Sequence, residues 1–248
     1  MKTYGLIGKK LDHSFSKQYF TTKFKEENIE SQYLNFELAS IEDLDEMIRT
    51  FLPAGFNVTI PYKEQIIEKL DSVEEVAAKV GAVNTVKVHY NSDGSYLLKG
   101  FNTDTFGFGQ LIKPFFKGHH ERALILGTGG ASKGVEYVLK NLGVTVLFVS
   151  RNPQEFNQIS YADLNQNVLD FHPLIINTTP LGTFPNENSY PEIPYEFLTE
   201  RSLLVDLVYN PAVTQFMQKG MDKGAKVING LTMLHQQAEK AWVIFNQQ

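Results

Sequence analysis

A lysine follows an apolar strand in FNVTIPYKE, Phe56 to Glu64, where Pro61 ends the strand and a helix is expected to start. A cation is disfavoured in the first turn of a helix, where the macrodipole is positive. An ammonium so placed and partly desolvated gives up its proton more readily than one in water, which suits proton transfer. The pattern around Lys63 equally describes a surface lysine behind a proline at the first helical position. Asp104, in GFNTDTFG, also has two readings. A carboxylate in a first helical turn, behind Asn102 or Thr103 as cap, is a common stabilising arrangement, and at a domain boundary it can also face a substrate. Ser14 and Ser16, in HSFS ahead of another helix, are either caps or two hydroxyls able to hold a carboxylate.

A second group of residues points to a nucleotide. ILGTGGASKG follows a strand and opens a helix, the context that gives a glycine-rich turn meaning. Gly127 permits the tight turn, Gly129 lets backbone approach a pyrophosphate, and the helix start supplies N–H donors. Ser132 stands where a strict G-x-G-x-x-G has its third glycine, yet Ala131, Ser132 and Gly134 are small enough for close helix–strand packing. The next strand ends in VSRN, so Ser150, Arg151 and Asn152 occupy the tip where an NAD-binding fold carries an acid for the ribose 2′-OH. Arg151 favours a 2′-phosphate, hence NADP over NAD. The plainer readings are a glycine-rich turn that binds no nucleotide and a solvated loop arginine.

The elements that must position these residues alternate. Strand-like runs at 3–8, 32–38 and 54–60 are separated by helical patterns, which predicts parallel pairing through crossover helices. KEQIIEKLDSVEEVAAKVG reads as a further helical pattern after Lys63. YNSDGSY between the runs 82–90 and 95–101 predicts a hairpin. From about residue 104 the grammar is strand, glycine turn, helix, strand, then the buried strands LIINTTP and LLVDLVYNP, AKVING and a closing helix. The reading is α/β: a substrate-binding domain over 1–103 and a Rossmann-type dinucleotide-binding domain over 104–230. Periodicity alone does not assign the final helix to either.

Composition bounds the function. A hydrophobic content of 42%, charged content of 21% and net charge of −5 describe a globular chain with no preference for nucleic acid or an anionic membrane. The absence of cysteine excludes disulfides, thiolate ligands and a cysteine nucleophile, and fits a reducing, cytoplasmic setting. No apolar run reaches the roughly 20 residues of a membrane span. The six histidines show no paired spacing, so no metal site is expected.

The motifs together resemble those of the shikimate dehydrogenases, over nearly the whole chain and in the family's order. HSFS is similar to the family's H-S-x-S, NVTIPYK to N-V-T-x-P-x-K, and GAVNT and GFNTD to the segments that supply an Asn and an Asp. GTGGASKG stands at the dinucleotide loop, SRN where the family usually has N-R-T, and NTTPLG, DLVYNP and GLTMLHQQA resemble N-x-T-P-x-G, D-x-x-Y-N-P and G-x-x-M-L-x-x-Q-A. The resemblance implies a catalytic Lys63 with Asp104 as partner, and Ser14 and Ser16 on the substrate carboxylate. It places Thr59, Asn84, Tyr209 and Gln237 at further substrate positions. Gly127, Gly129, Gly130 and Ala131 fall on the pyrophosphate loop, Ser150 and Arg151 at the 2′-phosphate, and Asn177, Thr178 and Gly230 near the ribose and nicotinamide. It also returns the final helix, 231–248, to the first domain. Lys17 where the family often has Pro, the lack of Pro-Ile before His13, and Gln154 near the second basic position of the phosphate clamp are departures.

The implied reaction is NADPH-dependent reduction of 3-dehydroshikimate to shikimate, on a small-molecule substrate, without a metal, by a monomer or homodimer. An enzyme acting on quinate with relaxed NAD/NADP use is the nearest alternative. A non-catalytic sensor of pathway metabolites would be expected to have lost Lys63 or Asp104. Another two-domain dehydrogenase, of the methylene-tetrahydrofolate type, would share the architecture but not the serine pair.

Overall fold

The computed structural model describes residues 1–11 and 14–247. In chain order its first elements are β1 (Lys2–Gly8), α1 (Phe15–Glu26), β2 (Ser31–Glu37), α2 (Leu44–Phe51), β3 (Gly55–Val58), α3 (Tyr62–Gln65), β4 (Ser72–Val73), α4 (Glu75–Val80), β5 (Thr85–Tyr90) and β6 (Tyr96–Phe101). Then come α5 (Asp104–Ile112), β7 (Arg122–Leu126), α6 (Gly130–Asn141), β8 (Thr145–Ser150), β9 (Gln158–Ser160), α7 (Gln166–Phe171), β10 (Leu174–Asn177), β11 (Leu203–Asp206), α8 (Gln215–Met221), β12 (Lys226–Asn229) and α9 (Leu231–Phe245). The chain divides into two units, Met1–Thr103 with Gln237–Gln248 and Asp104–Gln236, so α9 starts in one and ends in the other.

The first unit is built on a six-stranded sheet in the order β2-β1-β3-β5-β6-β4. The crossovers through α1 and α2 make β1 parallel to β2 and β3, as the alternating grammar predicts. The turn after β5 gives an antiparallel hairpin, closed by Asn91 N donating to Ser95 O at 2.8 Å, with Gly94 at φ 84°. Alternate residues of β1 enter different cores. Tyr4 and Leu6 pack with Phe20 and Phe24 of α1 and Ala238, Ala241 and Phe245 of α9. Ile7 joins Met47, Ile48, Phe56 and Val58 on the opposite face. The ring of Tyr4 lies 5.1 Å from that of Phe245 and 5.4 Å from that of Trp242, so aromatic packing ties α9 to the central strand.

The helical pattern from Lys63 to Gly81 is not one helix. The chain forms the single turn α3, a 3-10 turn over Ile66–Lys69, the short strand β4, and then α4. Strand pairing overrides propensity here: Ser72 and Val73 pair with Lys99 and Gly100 of β6, and Leu98 N donates to the Asp71 carboxylate at 2.7 Å. Tertiary contacts of this kind routinely outweigh helix preference.

The second unit carries a parallel six-stranded sheet in the order β12-β11-β10-β7-β8-β9. Its central strands are buried on both faces, which explains the continuous apolar runs of the sequence. Phe108, Val135 and Leu139 of α5 and α6 cover one face, and Leu169, Phe216 and Met217 of α7 and α8 the other. Among the described residues, no helix is long and apolar enough to cross a membrane.

A Cβ built at Gly55 would overlap the Phe245 ring. Gly55→Ala is expected to cost about 1–3 kcal/mol by overpacking, and Phe245→Ala about 3–5 kcal/mol by cavity formation. In the double variant the added methyl enters the vacated space, so urea unfolding should show less than the summed loss; additivity within about 0.5 kcal/mol would refute this coupling.

Candidate active site

Lys63 owes its position to backbone and neighbours more than to a helix. Past β3, Thr59 N donates to Ile7 O at 3.0 Å, and Tyr62 N donates back to Thr59 O at 2.9 Å, closing a turn over Pro61. The methyl of Thr59 rests on Gly8, where a Cβ would lie 2.7 Å from it. The buried Tyr62 hydroxyl donates to Leu38 O at 2.6 Å, and Val83 N donates to the carbonyl of Lys63 at 2.8 Å. Lys63 is half-buried, in a helix of four residues. So short a helix sums few peptide dipoles, and the strong terminal field expected from sequence is not built here.

Next to Val83, Asn84 is 2% exposed and organises the polar side of this unit. Its Oδ1 accepts from Thr103 N at 2.7 Å, and its Nδ2 donates to Gln237 Oε1 at 3.0 Å. The backbone N–H can only donate, so the orientation of the amide is fixed, and Gln237 accepts through Oε1 and keeps Nε2 as its donor. Asn57 braces the same group: its Nδ2 donates to Asn84 O at 3.2 Å and Thr85 Oγ1 at 3.0 Å, and its Oδ1 accepts from the buried Tyr33 hydroxyl at 2.8 Å. Thr103 immediately precedes Asp104, which is half-buried at the start of α5 in the second unit.

Ser14 is the N-cap of α1, its Oγ accepting from Lys17 N at 3.1 Å. That resolves the capping question in its favour; Ser16 sits in the first turn, half-buried. His13 of the same motif lies outside the described residues. Ser14, Ser16, Thr59, Lys63, Asn84 and Gln237 thus belong to the first unit, whereas Asp104 and Tyr209 belong to the second.

In the second unit a pocket of about 1050 Å³ opens at the carboxyl ends of β7, β8, β9 and β10. It is lined by Gly127 and Gly129, Ser150 and Arg151, Ser160 and Tyr161, and by Thr178 and Thr179, which lie against Gly127. Gly127 has φ 100°, and a Cβ there would come within 3.0 Å of the Thr179 methyl, so both conformation and proximity demand glycine. Gly129 caps α6, whose first turn exposes Gly130 and Ala131. Helix starts leave N–H groups without intrahelical partners, which suits an anion. Arg151 is exposed at the tip of β8, and Asn152 N donates to Ser150 Oγ at 3.2 Å. This donor set, with a cation where NAD-binding folds carry an acid, fits a phosphorylated dinucleotide. Ser160 and Tyr161 were not legible from sequence, because β9 has only three residues and no alternation to betray it.

Four residues assigned to the nucleotide do not line this pocket: Gly130 and Ala131, exposed in the first turn of α6 beside Gly129, and Asn177 and Gly230, which are buried. Asn177 is fully buried, and its amide is engaged inside the protein: Nδ2 donates to Asp206 Oδ1 at 2.9 Å, while Oδ1 accepts from Thr179 N at 3.0 Å and Thr179 Oγ1 at 2.6 Å. Gly230 is buried against Leu207, whose carbonyl a Cβ would overlap. Thr178 does line the pocket, its Oγ1 donating to Leu126 O at 2.7 Å. Asp206, completely buried, also accepts from Thr214 Oγ1 at 2.5 Å and Val208 N at 3.1 Å. Burial drives its carboxyl up to about 6, against the opposing effect of these three donors.

Read from β9 to β12, the second sheet has the order 3-2-1-4-5-6 of a doubly wound dinucleotide-binding domain, with its pocket outside the carboxyl ends of the strands. Residues 6–86 match the family model described as shikimate dehydrogenase substrate binding domain. The shikimate dehydrogenase (NADP(+)) of Methanosphaera stadtmanae is 34% identical, over 97% of this chain and 90% of its own length. A chorismate mutase/shikimate 5-dehydrogenase fusion protein from Clostridium acetobutylicum is 36% identical with a TM-score of 0.85, covering 99% of this chain and 91% of that one. Shikimate 5-dehydrogenase from Thermus thermophilus, solved in complex with NADP(H) and shikimate, is 30% identical with a TM-score of 0.84 over 99% and 94% of the two chains. The chain belongs to the shikimate dehydrogenase family.

The buried carboxyl of Asp206 makes a checkable pH signature. Its pKa is raised from 3.8 unfolded to about 6 folded, so the stability the protonated form contributes is full below pH 3.8 and is lost as pH rises through 6. Relative to Asp206→Asn, the wild-type chain should lose about 3 kcal/mol between about pH 4 and pH 7. Urea unfolding at the two pH values checks this, and a pH-independent difference would contradict it.

Proposed function

We propose that this chain catalyses the reversible, NADP-dependent reduction of 3-dehydroshikimate to shikimate in aromatic amino-acid biosynthesis. Family membership supports the reaction. The observation that carries it to particular residues is Lys63, held at the end of β3 by Tyr62 and Val83 and retained together with Asp104 and the serine pair. The cysteine-free composition fits the reducing cytoplasm as its setting.

With NADPH held by the residues of the pocket, its reduced nicotinamide would supply a hydride to the ring carbonyl carbon. The carbonyl oxygen gains a proton as it becomes a hydroxyl, and Lys63 Nζ and the Asp104 carboxylate are the groups that hold and deliver it. Ser14 and Ser16 hold the substrate carboxylate and so select which ring carbon is presented. Thr59, Asn84 and Tyr209 contact the rest of the substrate, as does Gln237, whose Oε1 is held by Asn84 so that Nε2 is its donor. Gly127 and Gly129 in the pocket, with Gly130 and Ala131 at the adjoining start of α6, receive the pyrophosphate, and Arg151 and Ser150 the 2′-phosphate. Thr178 and Gly230 shape the ribose and nicotinamide side, and Asn177 acts there through Thr179.

Lys63→Ala should lose about 10²–10⁴-fold in kcat while still binding shikimate in a calorimeter; oxidation of shikimate near the wild-type rate would remove Lys63 from the mechanism. A charge-assisted contact to phosphate is worth about 1.5–3 kcal/mol. Arg151→Ala should therefore raise the KM for NADP roughly 10- to 100-fold and leave the KM for NAD nearly unchanged. Equal effects on the two cofactors would place Arg151 away from the 2′-phosphate.

A further inference from the structure

A buried carboxylate with no part in the proton chemistry stands behind the cofactor pocket. Asp206 is acceptor-only when ionised, and three donors converge on it from three segments: Asn177 Nδ2 at 2.9 Å, Val208 N at 3.1 Å and Thr214 Oγ1 at 2.5 Å. We infer that Asp206 is a positioning residue for cofactor binding, setting two arms of the pocket wall through Asn177 and Thr214. This rests on the reading of the pocket as the NADP site.

The first arm is directional. Because Asp206 cannot donate, Asn177 must turn Nδ2 toward it, which leaves Asn177 Oδ1 facing Thr179. Thr179 must then donate with both its N–H, at 3.0 Å, and its hydroxyl, at 2.6 Å. That clamps the residue whose methyl bounds the space at Gly127, so the width of the glycine wall depends on which way the Asn177 amide faces. Asn177 Nδ2 also reaches Leu181 O at 3.3 Å, extending the same control two residues along the pocket wall.

The second arm runs through Thr214. Its hydroxyl is held by Asp206 and also accepts from Met217 N at 3.3 Å, which fixes it at the start of α8. A Cβ at Gly182 would sit 3.3 Å from Thr214 Cβ, so the loop after β10 lies directly on this threonine. Gly182 N donates to Ser189 Oγ at 3.0 Å, and Ser189 lines the pocket. One carboxylate therefore ties both arms of that loop to β11. An asparagine could satisfy Asn177 through its single oxygen and turn its own amide to Thr214; an alanine could satisfy neither.

The test is steady-state kinetics on the full chain together with NADPH binding followed by fluorescence. Asp206→Ala should raise the KM and Kd for NADPH about tenfold or more, with the KM for 3-dehydroshikimate and kcat within about twofold. Asp206→Asn, which keeps one oxygen for Asn177, should stay within about threefold of wild type. Thr179→Val breaks the first arm without touching the carboxylate and should raise the KM for NADPH in the same selective way, so it serves if Asp206→Ala does not fold. An unchanged NADPH KM in Asp206→Ala or Thr179→Val, or equal losses for both substrates, would overturn the inference. NADPH binding unaffected by Arg151→Ala would overturn the reading of the pocket itself, a separate outcome from either.

Discussion

An amide buried among donors has only one way round, and in the first unit that constraint is met at Asn84. Thr103 N can only donate, so Asn84 must offer it oxygen and offer nitrogen to Gln237. From this one orientation follow the bond that Thr85 Oγ1 donates to Asn84 Oδ1, the anchoring of the residue before Asp104, and the pairing with Gln237 from α9, while Asn57 braces the backbone carbonyl of Asn84. Reversing the amide would set donor against donor at Thr103 and acceptor against acceptor at Gln237. A buried network of this kind is stable only when every member is satisfied, which makes it specific as well as costly to alter. Asp206 and Asn177 apply the same logic in the second unit, with a carboxylate as the fixed end.

The two halves of the proposed chemistry are thus prepared differently. Substrate-side residues sit at the start of α1, at strand ends and on α9, with Asn84 and Gln237 joined in a buried network. The nucleotide side relies on backbone, with glycines where a Cβ would intrude and a helix start for the anion, and only Arg151 adds a full positive charge among the residues assigned there. Lys63 falls between these cases. Its side chain is the one proposed to carry the chemistry, yet it is placed by the anchored phenol of its neighbour Tyr62 and by one backbone N–H.

Much of this was legible in the sequence because it is local. The crossover order, the hairpin at Asn91–Ser95 and the glycine turn all declare themselves within a few residues. What was hidden depends on distant pairing. Nothing in KEQIIEKLDSVEEV announces that Ser72 and Val73 will join a strand about 27 residues later, so helical periodicity wins on paper and loses in the fold. The dipole argument for Lys63 fell with that helix, while the residue itself remained singled out by its motif. Ser160 and Tyr161 escaped notice because three-residue β9 carries no period, and the inward-facing role of Asn177 is invisible without Asp206 opposite it.

The path of α9 bears on the order in which the chain can fold during synthesis. The second unit is continuous in sequence, from Asp104 to Gln236, so everything it needs is present once that stretch has emerged from the ribosome. The first unit starts earlier but must wait: Tyr4, Phe20 and Phe24 have no complete core until Ala238, Ala241 and Phe245 arrive. For most of translation one face of the first sheet therefore has α1 but lacks α9 as cover, which leaves apolar surface of the kind chaperones bind. The portion made first is the portion completed last.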